Sequence, residues 1–132
     1  MEKEEALPVF ILFQKLFKRL EEVLKLEKSM VNKDASILRF RLTVELALKS
    51  IQKFLRSEGI ICRSPKNCLE EAFKFGLIKD DARWFKILED KNLIIHSYSE
   101  EIDGQVYDRL SQYLELFQGL KEKLAIINGE KF

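Results

Sequence analysis

The chain has 132 residues, 46% of them apolar and 34% charged, a balance that excludes a disordered or collagen-like polypeptide and predicts one folded domain over 1–132. Lys and Arg number 23 against 22 Asp and Glu, a formal charge of +1, so a general basic field that gathers nucleic acid is excluded and such binding would need a local patch. Glycine (5) and proline (2) are scarce, while ten Phe, three Tyr and one Trp supply bulky core material; long elements around a single core are expected.

The hydrophobic period is helical almost throughout. Val9, Phe13, Leu16, Leu20, Val23 and Leu24 predict a first helix over about 8–29, with Pro8 at a first helical position and a break at Val31-Asn32-Lys33-Asp34. A second helix is expected from near Ser36, with Ile37, Phe40, Val44, Ala47, Leu48, Ile51, Phe54 and Leu55 inward and Gly59 as its stop. Ser64-Pro65 reads as an N-cap and first-turn proline for a third helix over about 65–75. Its inward residues are Leu69, Ala72 and Phe73, and Gly76 ends it.

Asp80 or Asp81 should cap a fourth helix carrying Trp84, Ile87, Leu88, Lys91, Ile94 and Ile95. Ser97-x-x-Glu100 has the form of a capping box for the last helix, whose stripe is Ile102, Val106, Leu110, Tyr113, Phe117, Leu120, Leu124 and Ile127. No segment alternates as a strand does. The expected fold is all-α: an antiparallel four-helix up-and-down bundle with one extra short helix, its core over about 8–125. Phe17, Leu38, Leu46, Phe75 and Phe85 fall off the main stripes and predict a second buried surface, hence self-association.

The acidic, mixed start Met1–Glu5 lacks the order of a signal peptide, and the longest apolar run, Val9–Phe13, is too short to cross a bilayer. No membrane role is expected. Cys62 and Cys68 are the only cysteines, their spacing does not suit zinc, and two reduced thiols in a cytoplasmic protein are expected. Glu70-Glu71 and Asp80-Asp81 lack the spacing of an oxygen-ligand loop and read as caps and surface charge, so no metal is expected.

The one histidine, His96, lies where the fourth helix gives way to a capping signal. An imidazole there is placed to act as general base or acid, because histidine is the side chain that exchanges protons near neutral pH. Asn92, four residues earlier, shares its helical face and is placed to fix the ring. Lys91, five residues earlier, falls roughly 140° away on an ideal helix. The two can cooperate only if the helix breaks, the lysine reaches round, or the partner comes from another chain. Arg39 and Arg41 are weaker phosphate candidates, with an Arg41–Glu45 pair at i,i+4 as the plainer expectation. A histidine-phosphotransfer bundle is disfavoured because Ser-Tyr-Ser, not Lys-Gly, follows His96.

Three blocks of the chain resemble the nucleotidyltransferase substrate-binding-protein-like family of the HEPN superfamily. They are Arg39–Lys49, then Ser64-Pro65-Lys66 with Glu71-Ala72-Phe73 and Gly76-Leu77-Ile78, then Trp84 with Asp90-Lys91-Asn92 and His96-Ser97-Tyr98. The resemblance implies a HEPN four-helix bundle that forms a homodimer and is paired with a minimal nucleotidyltransferase as a toxin–antitoxin system. It implies a metal-independent, cofactor-free endoribonuclease acting on tRNA or mRNA. Its Arg-x4-His-x-Tyr motif would meet its own copy across the two-fold. Carried over, the basic position is Lys91, the histidine His96 and the neighbouring Asn Asn92, while Tyr98 is the target of adenylylation by the partner enzyme. Two positions depart from the family pattern: Lys91 stands where Arg is usual, and Ile95 where Ser is frequent. The lysine offers phosphate a point charge in place of a bidentate fork. A non-catalytic subunit that docks the nucleotidyltransferase is the alternative the same blocks allow.

Overall fold

The computed structural model describes residues 2–97 and 99–129, with side chains from Ala6 onward. They form five helices: α1 (Glu2–Leu24), α2 (Met30–Ser57), α3 (Pro65–Phe75), α4 (Arg83–Ser97) and α5 (Glu100–Asn128). No strand occurs among the described residues. Four long helices and the short α3 match the expected bundle. The long α1 and α2 pack along each other, α5 closes against α1, α2 and α4, and α3 bridges α2 and α4.

Side-chain caps set most of the helix starts. Ser64 Oγ accepts from the Asn67 N–H at 3.0 Å, Pro65 follows in the first turn, and Gly76 ends α3 at φ 90°. That helix runs as the sequence indicates, because cap, proline and left-handed stop agree. The second helix starts six residues before Ser36, the expected start. Ser29 Oγ accepts from Asn32 N–H, and the Asn32 amide donates to the Glu27 carbonyl at 2.8 Å. Val31–Asp34 is therefore helix, not break, and α1 stops at Leu24 rather than near 29. Pro8 lies inside α1, not at its first position.

The expected capping box on Ser97 is also corrected. Ser99 caps α5, its Oγ accepting from Ile102 N–H at 3.3 Å, and Glu100, Glu101 and Asp103 place negative charge on that positive helix end. Ser97 is the last residue of α4, and its buried hydroxyl finds no partner among the described residues. At the start of α4, Asp81 Oδ1 accepts from Arg83 N–H at 2.9 Å, so of the two expected candidates, Asp80 and Asp81, it is Asp81 that bonds the helix start.

One continuous core fills the bundle. On α1 the buried stripe is Phe10, Phe13, Phe17, Leu20 and Val23, so Val9 and Leu16 sit at its edges and Phe17 at its centre. Phe17 stacks on Phe13 at 6.1 Å and tilts against Phe117 at 5.8 Å. It is core, not part of a second surface. Leu46 packs half-buried against the core, whereas Leu38, Phe75 and Phe85 are exposed. Phe73, expected inward, is 43% exposed, and Ile127 is 44% exposed near the end of α5. Each fully buried apolar side chain contributes about 1.5–3 kcal/mol; the α1 stripe thus anchors α1 to α5.

The expected reduced thiols are corrected as well. Cys62, in the loop after α2, and Cys68, in α3, form a disulfide with Cα atoms 5.0 Å apart. The tight turn into α3 brings the two residues within bridging distance, about 4.4–6.8 Å.

Candidate functional site

The polar centre of the bundle is Asp90, which is 0% exposed. Arg109 Nε and Nη2, from α5, donate to its two oxygens at 2.9 and 2.6 Å, and Tyr113 Oη donates at 2.5 Å. Three donors satisfy a carboxylate that could not otherwise be buried. Hydrogen bonding to Asp90 raises the Arg109 guanidinium above its usual range. Burial, and then the bond to Asp90, pushes the Tyr113 phenol above the usual tyrosine range. Arg109 and Tyr113 are four apart on α5, so both reach α4 from one face. The sequence reading missed this network. An Arg interleaved in the apolar stripe of α5, four residues before a Tyr, was its signal.

Asp90 immediately precedes Lys91, so the network clamps α4 and sets its rotation about its own axis. With Asp90 pointing inward, Lys91 is half-buried, and Asn92 and His96 are exposed. The helix is continuous from Arg83 to Ser97. Lys91 and His96 therefore diverge within one chain, as the periodicity indicates. No hydrogen bond joins Asn92 to His96 among the described residues. Tyr98 lies outside the described residues.

Lys91 opens into a cavity of about 430 Å³ between α2, α3 and α4. Lys49 and Glu45 of α2, Arg63 and Ser64 of the following loop, and the Cys62–Cys68 bridge complete its wall. His96 is not part of that wall. A second cavity of about 420 Å³ contains Arg41 with Ile94, Ile95, Asp34 and Asp103. Burial, and then the neighbouring Asp34 and Glu100, raises the Asp103 carboxyl above the usual range. Two carboxylates beside Arg41 weaken it as a phosphate ligand. Arg41 and Glu45 open to different cavities and do not pair among the described residues. Arg39 is occupied differently, its Nη1 donating to the Arg19 carbonyl of α1 at 2.8 Å.

Among the described residues, no three or more His, Cys, Asp or Glu side chains are placed to hold a metal ion. No helix among them is long and apolar enough to cross a membrane.

The family model for "Nucleotidyltransferase substrate binding protein like" matches residues 9–126, nearly the whole chain. The protein belongs to this family. A Haemophilus influenzae protein named probable ribonuclease HepT is 30% identical over 94 residues, which cover 67% of this chain and 64% of that protein. The match thus spans a little under two thirds of the relative's length. A crystal structure of a Thermus thermophilus protein superposes with a TM-score of 0.78 at 34% identity, covering 85% of this chain and 98% of that one. A second structure, from Haemophilus influenzae, superposes at 0.74 with 25% identity, over 87% of this chain and 98% of the other. It is described as revealing the fold of a substrate binding domain of a nucleotidyltransferase. The HEPN-type bundle expected from the three sequence blocks is therefore the fold of this chain.

Proposed function

We propose that this chain is an endoribonuclease of the HEPN type, the toxin of a toxin–antitoxin pair whose other member is a minimal nucleotidyltransferase. One observation carries the reading: a clamped, uninterrupted α4 presents Lys91 to a cationic cavity and His96 to solvent on divergent faces. Such a helix is inert as an intramolecular pair. It becomes a site when a second copy brings its own α4 alongside. The 30% identical relative named a probable ribonuclease supports the same class of activity.

In the proposed reaction the His96 imidazole takes the proton of an RNA 2′-hydroxyl. The 2′-oxygen bonds to the adjacent phosphorus, and the bond from phosphorus to the 5′-oxygen breaks. That oxygen takes up a proton from water, and the His96 imidazolium returns its proton to the solvent. The products are a 2′,3′-cyclic phosphate and a 5′-hydroxyl end. The Lys91 ammonium offsets the charge that builds on the phosphoryl oxygens. Asn92, exposed one helical turn before His96, is placed to contact the RNA near the reacting group. Adenylylation of Tyr98 by the nucleotidyltransferase would add a bulky anion two residues from His96, and this repels a phosphate chain.

Lys91 in place of the usual Arg favours a second reading, a non-catalytic subunit that binds the nucleotidyltransferase and presents Tyr98 to it. Incubation with tRNA and with a mixed RNA pool, in excess chelator, separates the two. The nuclease reading expects cleavage that disappears in His96→Ala. Cleavage that persists in that variant removes His96 from the chemistry. Capture of the nucleotidyltransferase without any RNA cleavage selects the docking subunit.

A further inference from the structure

The cavity that Lys91 enters holds two more cations that the family motif does not include. Lys49 comes from α2 and Arg63 from the loop after it, so three separate parts of the chain aim positive charge into one space of about 430 Å³. Among the described residues Glu45 is the one carboxylate on the same wall. Some cations elsewhere are paired, among them Lys28 with Asp108, Lys74 with Glu71, Arg83 with Asp81 and Glu115, Lys86 with Glu89, and Arg109 with Asp90, while others such as Lys15 and Lys18 are exposed on α1 without a partner among the described residues; what sets this cavity apart is that three cations share one hollow. Among the described residues none of Lys49, Arg63 and Lys91 has an ion-pair partner. Three unpaired like charges around one hollow repel one another, and an anion in the hollow relieves that repulsion. In a chain with a formal charge of only +1, this is a local patch of the kind that nucleic-acid binding would require.

Two of the three positions are held firmly. The Asp90–Arg109–Tyr113 network fixes the turn of α4 that bears Lys91. The Cys62–Cys68 bridge spans Arg63, whose own N–H donates to Asn67 Oδ1 at 3.0 Å. The guanidinium thus extends from an anchored backbone rather than from a loose loop.

We propose that Lys49 and Arg63 form, with Lys91, a subsite for the phosphodiester backbone of single-stranded RNA, extending the strand path from the cleaved bond into the cavity between α2, α3 and α4. The proposal rests on the nuclease reading for its choice of ligand, but binding and cleavage are measured apart. The subsite contacts backbone, so it adds affinity and register without base preference.

The test uses full-length protein carrying His96→Ala, so that RNA stays intact, and a fluorescent single-stranded RNA oligonucleotide. Affinity is measured over a range of salt concentrations. Lys49→Ala with Arg63→Ala should weaken binding about tenfold and make the dependence of log K on log salt shallower by about 1.4, the share of two released counterions on a single strand. Lys15→Ala with Lys18→Ala, which removes the same charge from exposed positions of α1, should leave both quantities unchanged. Equal losses in the two double variants, no loss in the first, or preferential binding of ATP over RNA would each overturn the subsite. If the nuclease reading alone is wrong, the protein that retains His96 cleaves nothing, while RNA binding still falls in the Lys49 and Arg63 variant.

Discussion

Asp90→Ala tests the clamp on α4. The carboxylate is fully buried and receives two bonds from Arg109 and one from Tyr113. Removing one partner of a buried pair costs about 3–5 kcal/mol, because the charge left behind is uncompensated. Here the Arg109 side chain keeps 28% exposure and can turn partly to water, so the loss should lie at the lower end, about 3 kcal/mol. Tyr113→Phe removes a single bond to a charged acceptor and leaves the arginine in place; about 1.5 kcal/mol is expected. Asp90→Ala combined with Arg109→Ala should cost less than the sum of the two single changes, with a coupling of about 2 kcal/mol. Urea denaturation followed by circular dichroism measures all four proteins. The midpoint should move while the slope stays constant. Additive single losses, or a loss below about 1 kcal/mol for Asp90→Ala, would refute the reasoning that the network bears on the stability of α4.

Three further outcomes are expected. Opening the Cys62–Cys68 bridge, with reductant or by a double change to Ala, should lower stability by about 2 kcal/mol, the chain-entropy value for so short a loop; thermal melts of the double variant should then be indifferent to reductant. Tyr113 stays neutral in the folded chain at pH values where an unfolded tyrosine ionises, because burial and Asp90 disfavour the phenolate. The unfolded chain thus releases a proton that the folded one keeps, so stability should fall as pH rises above about 10. Alkaline denaturation profiles should lose that slope in Tyr113→Phe. Lys91→Arg restores a bidentate fork for phosphate and should raise RNA cleavage several-fold, whereas Lys91→Ala should lower it by about a hundredfold; initial rates at saturating RNA decide this.

The bundle was legible because helical periodicity is dense and turn signals are few. Where several local signals coincided, as at Ser64, Pro65 and Gly76, even the ends of the helix were legible. Where one polar residue competed with another, they were not. Ser29 and Ser99 cap their helices, whereas Ser36 lies inside α2 and Ser97 ends α4. A hydroxyl's role as cap depends on the backbone angles around it, which the residue type alone does not set. Phe17 and Phe73 exchanged places for a related reason. Stripes drawn at three and four residues leave a choice of face, and only tertiary packing decides it: Phe17 meets Phe117 of α5, whereas Phe73 of α3, which packs on α2 and α4, is left exposed.

The candidate site divides the same way. Periodicity along α4 was enough to place Lys91 and His96 on divergent faces. The Asp90 network and the convergence of Lys49 and Arg63 on Lys91 depend on contacts between distant segments. Nothing in the local pattern brings residue 49, residue 63 and residue 91 to one hollow. The Cys62–Cys68 bridge is not legible in composition or spacing, because a tight turn at the start of α3 governs the separation of the two residues.

The composite site is tested most directly by mixing chains. Differently tagged Lys91→Ala and His96→Ala chains, each nearly inactive alone, are co-expressed and the mixed dimer is purified. With Lys91 of one copy working beside His96 of the other, one of the two sites is intact, and cleavage should return to about half that of the unaltered protein. A mixed dimer as inactive as its parents, beside an unaltered protein that cleaves RNA, would contradict a site shared between two copies.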